Sequence, residues 1–150
     1  MNKIIFWSLR SFFILLLLTT AIGKLLDNRG FAEVISTYQF GIPETLLLPL
    51  GLSVSLFELA LAGGVIANIR MKFCAQLVIL MHVGYTVLAV ITNLRGLDLP
   101  NCGCFGIFLA RPMTWATVLE DSILTLLSVI FYFSVVYKER ITVSNRQRHR

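Results

Sequence analysis

Apolar residues in this chain are gathered into four blocks separated by short polar stretches, instead of recurring at the intervals of a half-buried helix or strand. The blocks run from about Ile4 to Leu26, Leu46 to Asn68, Phe73 to Leu94 and Trp115 to Tyr137. Each is near the roughly 20 residues that a helix needs to cross a bilayer core. Lipid offers no partner to backbone N–H and C=O groups, so blocks of this length predict helices, whereas a membrane barrel would need short alternating segments. The expected fold is an all-α integral membrane protein, a four-transmembrane-helix bundle forming one domain over residues 1–150. Between the first two blocks, Phe31, Val34, Ile35 and Tyr38 recur at helical spacing ahead of Gly41 and Pro43. That pattern predicts a short helix in the membrane interface, placed either to cover the other outer loop or to seal the bundle rim.

Composition supports this class: 57% of residues are hydrophobic and 14% charged, a balance far from that of a soluble domain and one that leaves no room for a separate one. Lys3 and Arg10 ahead of a Phe and Leu run also fit a secretory signal. However, the chain continues past Thr19-Thr20-Ala21 as Ile-Gly-Lys-Leu-Leu, without a small-x-small cleavage site. The first block is therefore expected to stay as a helix.

Charge sets the expected orientation. With four spans, Lys3, Arg10, Arg70, Lys72, Lys138, Arg140, Arg146, Arg148 and Arg150 share one side, leaving Lys24, Arg29, Arg95 and Arg111 for the other. The richer side is cytosolic by the positive-inside rule, which places both termini in the cytosol and both long loops outside, in a bacterial inner membrane. The basic tail over 138–150 and the net charge of +5 then serve orientation and contact with anionic lipid of the bilayer. Without interleaved aromatics they do not indicate a nucleic-acid partner. Gly63-Gly64 is expected to allow close helix packing.

The densest chemistry lies in the loop before the fourth block, Arg95-Gly-Leu-Asp-Leu-Pro-Asn-Cys-Gly-Cys-Phe-Gly106. On the exported side paired thiols can persist as a disulfide, and Gly103 gives the backbone the freedom a bridge between Cys102 and Cys104 requires. So small a ring would be strained, and strained, exposed disulfides exchange readily with partner proteins. A static loop clasp ranks second. A Cu(I) site ranks third, because two thiolates without nearby Met or His make an incomplete ligand set, and no metal is expected. Cys74 opens the third block on the opposite side and is expected to fill core space.

Ionisable residues inside the spans are the second signal, because burying them in lipid is costly. Gly51, Ser55, Glu58 and Ala62 form one small or polar stripe, and His82, Tyr85, Ala89 and Asn93 another. If the stripes face each other, Glu58 and His82 would share a proton and support thiol chemistry or quinone reduction. The alternative, interhelical packing, is the commoner use of such pairs. Lys24 or Arg29 is expected to pair with Asp121. No cofactor is implied by a motif, and for quinone the sequence offers no specific support.

Taken together, these residues resemble the MauE family, methylamine utilization membrane proteins related to DoxX-like proteins. The resemblance covers most of the chain. It rests on Arg10, Gly23-Lys24-Leu25 with Asp27, Gly30-Phe31, Tyr38, Pro43, Glu58-Leu59 with Gly63, Arg95-Gly96 and, most diagnostically, Cys102-Gly-Cys-Phe-Gly106. It implies a four-helix membrane fold and a part in processing, transport or maturation of the methylamine dehydrogenase small subunit, a disulfide-rich periplasmic protein. The expected function is a thiol-disulfide redox or maturation factor. Cys102 and Cys104 would be the exchanging pair, Glu58 and His82 supporting groups, and an exported disulfide-containing client or a thioredoxin-like protein the partner. The rivals are a non-catalytic assembly or transport subunit with a structural cysteine loop, and a small solute carrier coupled to protons through Glu58.

Overall fold

The structure is a computed structural model that describes the backbone of residues 3–148 and the side chains of residues 4–141. Five helices follow one another: α1 (Lys3–Leu26), α2 (Asn28–Thr37), α3 (Glu44–Ile66), α4 (Met71–Leu94) and α5 (Trp115–Arg148), with no strand among the described residues. All but α2 are long and apolar enough to cross a membrane. The chain is thus a multi-pass membrane protein with the expected four spans and one short helix in the first long loop.

The bundle is inverted relative to a soluble one. Leu15, Leu80, Leu126 and Phe133 stand exposed on the outside, while Ser55, Glu58, His82, Thr92 and Ser128 are buried within. That is the arrangement expected when the solvent is hydrocarbon and polar side chains can find partners only in the interior. α1 packs on α3 and α4 on α5, with α2 lying across α3. Phe13, Leu17, Val65, Val78 and Phe131 are packed together at the end of the bundle nearer the amino terminus.

Local chemistry sets the helix boundaries. α3 begins and ends two residues earlier than its apolar block, after Pro43 and before a tight turn in which Asn68 and Arg70 take left-handed backbone angles. The buried Arg10 guanidinium donates from Nη2 to the carbonyls of Val65 (2.9 Å) and Ile66 (3.0 Å) in the last turn of α3, where regular helical partners run out. α2 starts at Asp27, whose side chain accepts the Gly30 N–H at 2.8 Å. α5 runs unbroken into what the sequence marks as a basic tail, because residues 115–148 contain neither Gly nor Pro. Of the two glycines expected to let helices approach, only Gly64 does so: a Cβ there would lie 2.8 Å from Cys74 Sγ, whereas Gly63 faces open space. Cys74 is a buried core thiol, as expected.

Candidate functional site

The loop between α4 and α5 does not remain at the surface. Its two legs are tied together by Met113 N–H to Leu99 O (2.9 Å) and Cys102 N–H to Arg111 O (2.7 Å), and its tip turns inward against α1. There Gly23 and the Phe105-Gly106 backbone meet so closely that a Cβ at Gly23 would overlap the Phe105 carbonyl, and one at Gly106 the Gly23 carbonyl. Non-helical backbone at this depth is tolerated because protein, not lipid, surrounds it.

Asn101 builds the tip. Its Oδ1 accepts the Gly103 N–H at 2.9 Å and its Nδ2 donates to Gly106 O at 3.1 Å, while Gly103 and Gly106 carry φ of +72° and +74°. Only glycine takes such angles without cost. This turn sets Cys102 and Cys104 side by side as free thiols, with sulfurs 2.8 Å apart. A bond at about 2.05 Å lies within a small movement of that position.

The two thiols are not equivalent. Cys102 is lowered from 9.0 to about 7, first because the Cys104 thiol hydrogen-bonds to its sulfur, and further by the Cys104 N–H and the Arg111 guanidinium, against the opposing effect of burial. Cys104 is raised, by the hydrogen bond it gives, by burial and by the charge on Cys102. Of the two, Cys102 is therefore the one favoured to ionise and Cys104 the one favoured to keep its proton.

Burial corrects one expectation. The pair is not an exposed outer loop: Cys102 is buried and Cys104 half-buried, because α2 forms a roof over them. The Tyr38 hydroxyl donates to Cys102 O at 2.7 Å, and a Cβ at Gly103 would press on Val34 and Phe31. Arg95 anchors the end of α2 through the carbonyls of Tyr38 (2.7 Å) and Gln39 (3.1 Å). Of the two placements expected for the interfacial helix, it takes the one over the cysteines.

Beneath the turn lies a buried ion pair. Lys24 Nζ is 2.6 Å from Glu58 Oε1, with both side chains almost wholly inaccessible, and the ammonium lies over the rings of Phe31 (5.5 Å) and Tyr85 (5.3 Å). The Tyr85 hydroxyl also donates to Glu58 Oε1, while Oε2 has no protein partner. This arrangement overturns two expectations. Lys24 pairs with Glu58 rather than with Asp121, and Arg111 pairs with the adjacent Glu120. Glu58 and His82 share no hydrogen bond; the Nδ1 of His82 lies 2.8 Å from Val78 O, and its ring meets Phe13 edge-on. The two stripes do face inward, and Glu58 and His82 border one small cavity of about 70 Å³ together with Cys104, Arg111 and Asp121.

A larger cavity, of about 210 Å³ and walled almost entirely by apolar carbon, lies on the other side of Cys104. Lys24, Tyr85, both thiols and Asp121 stand along its wall, and Phe40 and Leu50 are exposed where they line it. Cys104, Tyr85 and Asp121 border both cavities. Among the described residues no group of three or more His, Cys, Asp or Glu side chains could hold a metal ion. Sequence reasoning missed the turn-building role of Asn101, for which a side chain able to hold its own backbone two residues on was the available signal. It also missed the Lys24 and Tyr85 contacts to Glu58, which no spacing encodes.

Comparison with known proteins agrees with the residue-level resemblance. The family model described as Methylamine utilisation protein MauE matches residues 2–134. The Methylamine utilization protein MauE of Paracoccus denitrificans is 27% identical over 128 residues, covering 85% of this chain and 68% of that protein. Its counterpart from Paracoccus versutus is 29% identical over 129 residues with the same coverage. That of Methylorubrum extorquens is 30% identical over 109 residues, 73% of this chain and 58% of that protein. No solved structure matches the chain. With the family model spanning nearly its whole length, the chain belongs to the MauE family of methylamine utilisation proteins.

Proposed function

We propose that this protein is a thiol-disulfide redox factor of the bacterial inner membrane that matures an exported, disulfide-containing client, with both termini cytosolic and the cysteine loop on the outer side. In methylamine utilisation the client by resemblance is the methylamine dehydrogenase small subunit, reached directly or through a thioredoxin-like protein. The observation that carries this reading is the pair of free thiols held 2.8 Å apart by a glycine turn, one of them lowered to about 7. A mere loop clasp has no use for a stabilised thiolate.

In the oxidised form a client thiolate attacks Cys104 Sγ, the S–S bond breaks, and Cys102 leaves as the thiolate. The lower-pKa sulfur is the better leaving group, and Cys104 is the less buried of the two. The second client thiol then attacks the mixed disulfide and releases Cys104. One client disulfide is gained for one lost here, and two electrons and two protons arrive with the dithiol. Glu58 and His82, on the small cavity beside Cys104, are the groups placed to assist proton movement.

The test is trapping in cells. In either single Ser variant the remaining thiol attacks an oxidised client, breaking the client disulfide and holding one of its sulfurs as a reductant-sensitive adduct that the missing neighbour can no longer release. If neither variant traps a partner and the double variant matures its client at the normal rate, the cysteines only pack, and the protein is an assembly subunit.

A further inference from the structure

A dithiol that has accepted two electrons must pass them on, and the surroundings of Cys104 restrict what can take them. On the outer side α2 covers the turn through Tyr38, Phe31 and Val34. Beneath α2, Cys104 borders the cavity of about 210 Å³ whose wall is apolar and along which Phe40 and Leu50 are exposed. Leu50 lies in the first third of the membrane-spanning α3 and Phe40 in the loop just ahead of it, so the cavity is edged by apolar side chains at one end of a span, an entry suited to an oxidant that partitions into the bilayer. The volume is below the roughly 300–1,000 Å³ of pockets for drug-sized ligands, which suits one substituted ring whose tail stays in the bilayer.

The polar groups beside that space fit a carbonyl acceptor. Lys24 presents three N–H donors and spends one on Glu58, leaving donors beside the cavity for an oxygen that gains negative charge as it is reduced. Phe31, Tyr38 and Phe40 supply aromatic faces along the same space, suited to a flat ring.

We propose that this cavity binds the ring of a lipid-soluble quinone, which reoxidises the Cys102–Cys104 dithiol. The step balances: the pair gives up two electrons as one S–S bond forms, and these with two protons, one from Cys104 and one from Cys102 or, when Cys102 is ionised, from water, convert the quinone to its quinol, which returns to the membrane. Lys24 hydrogen-bonds the reacting carbonyl and is a binding residue here. The proposal rests on the thiol-disulfide reading above and adds its electron acceptor. A lipid acyl chain is the competing occupant, and it can take no electrons.

The experiment uses the full chain in lipid nanodiscs, reduced, freed of reductant and kept anaerobic. Decylubiquinone is added, its reduction is followed by absorbance, and remaining thiols are counted by maleimide mass tagging after acid quench. The expected result is one quinol formed per two thiols lost. Val54→Phe on α3 and Leu88→Phe on α4 each add bulk to the cavity wall while leaving both cysteines in place, and each should slow the reaction about tenfold. Diamide, a water-soluble thiol oxidant, is applied to the wild type as a control. If diamide closes the pair and clients are trapped while decylubiquinone leaves the thiols untouched, the quinone proposal falls and the redox reading stands. Quinone oxidation at equal rates in the wild type and both membrane-inserted variants overturns the assignment to this cavity. If the pair resists both oxidants and traps no client, both readings fall.

Discussion

Replacing Glu58 with Gln removes one charge from a pair that has no water to fall back on. Lys24 and Glu58 are 1% and 0% exposed and 2.6 Å apart, so solvent screening does not soften the loss. Gln retains an acceptor for the Tyr85 hydroxyl and for one Lys24 N–H, but leaves the ammonium buried without a counter-charge. Removing one partner of a buried pair costs about 3–5 kcal/mol, whereas replacing both by apolar groups is often close to neutral. Glu58→Gln, Glu58→Leu and Lys24→Met should therefore each destabilise by that amount, and the Lys24→Met/Glu58→Leu double variant by much less than the sum of its two single changes, a coupling of about 3 kcal/mol or more. The assay is reversible unfolding in mixed micelles by SDS titration, with helicity as the signal. Additive losses, or a Glu58→Gln variant as stable as the wild type, would refute the argument that the pair is held charged inside the bundle. The same variants separate packing from proton transfer. Glu58→Gln that accumulates in the membrane but fails to mature the client points to the carboxyl proton. Normal maturation with Gln and poor accumulation with Leu points to packing alone.

The thiols give a pH test. With Cys102 lowered to about 7, its thiolate forms as pH rises through 7. Iodoacetamide alkylation of Cys102 should then climb about tenfold from pH 6 to 8 and level off, where an ordinary thiol would still be rising. Cys104→Ala removes the hydrogen-bond donor and should move that midpoint upward. A midpoint that stays at 7 would deny the Cys104 hydrogen bond its role. Tyr38→Phe leaves the buried Cys102 carbonyl without its 2.7 Å donor, should cost about 1–3 kcal/mol, and should speed Cys102 labelling from the aqueous side; unchanged labelling would mean that α2 is not the barrier. Gly106→Ala meets both a φ of +74° and the Gly23 carbonyl, for about 1–2 kcal/mol of backbone strain plus about 1–3 of overpacking. It should release the loop from α1, read as faster labelling of Cys104 and lower thermal stability. Reporter fusions after Arg70 and Arg150 should read cytosolic and those near Asn28 and Leu99 exported; an exported carboxyl terminus would place the thiols in a reducing compartment and remove the basis of the redox reading.

The spans, the interfacial helix and the closeness of Cys102 to Cys104 were legible in the chain because they are local or compositional. Some 20 apolar residues need no knowledge of neighbours to be read as a membrane helix, and Phe31, Val34, Ile35 and Tyr38 announce a face by spacing alone. The polar stripes through Glu58 and His82 were legible as buried for the same reason, since lipid rejects them wherever they sit. Their partners were not. That Lys24 reaches Glu58, 34 positions away, and that His82 turns to its own helix at Val78, follows from how α1, α3 and α4 rotate against one another, a choice made by the packing of the whole bundle. The depth of the cysteine turn was equally hidden. A loop sequence reads as surface, and only the close meeting of Gly23 with Phe105 and Gly106, under the roof of α2, draws it inward. Sequence thus determined which polar groups the bundle would bury and which thiols lie close enough along the chain to pair. The tertiary structure decided that the thiols sit beneath α2 and beside an apolar cavity, because long-range contacts set the surroundings of a group and residue type does not.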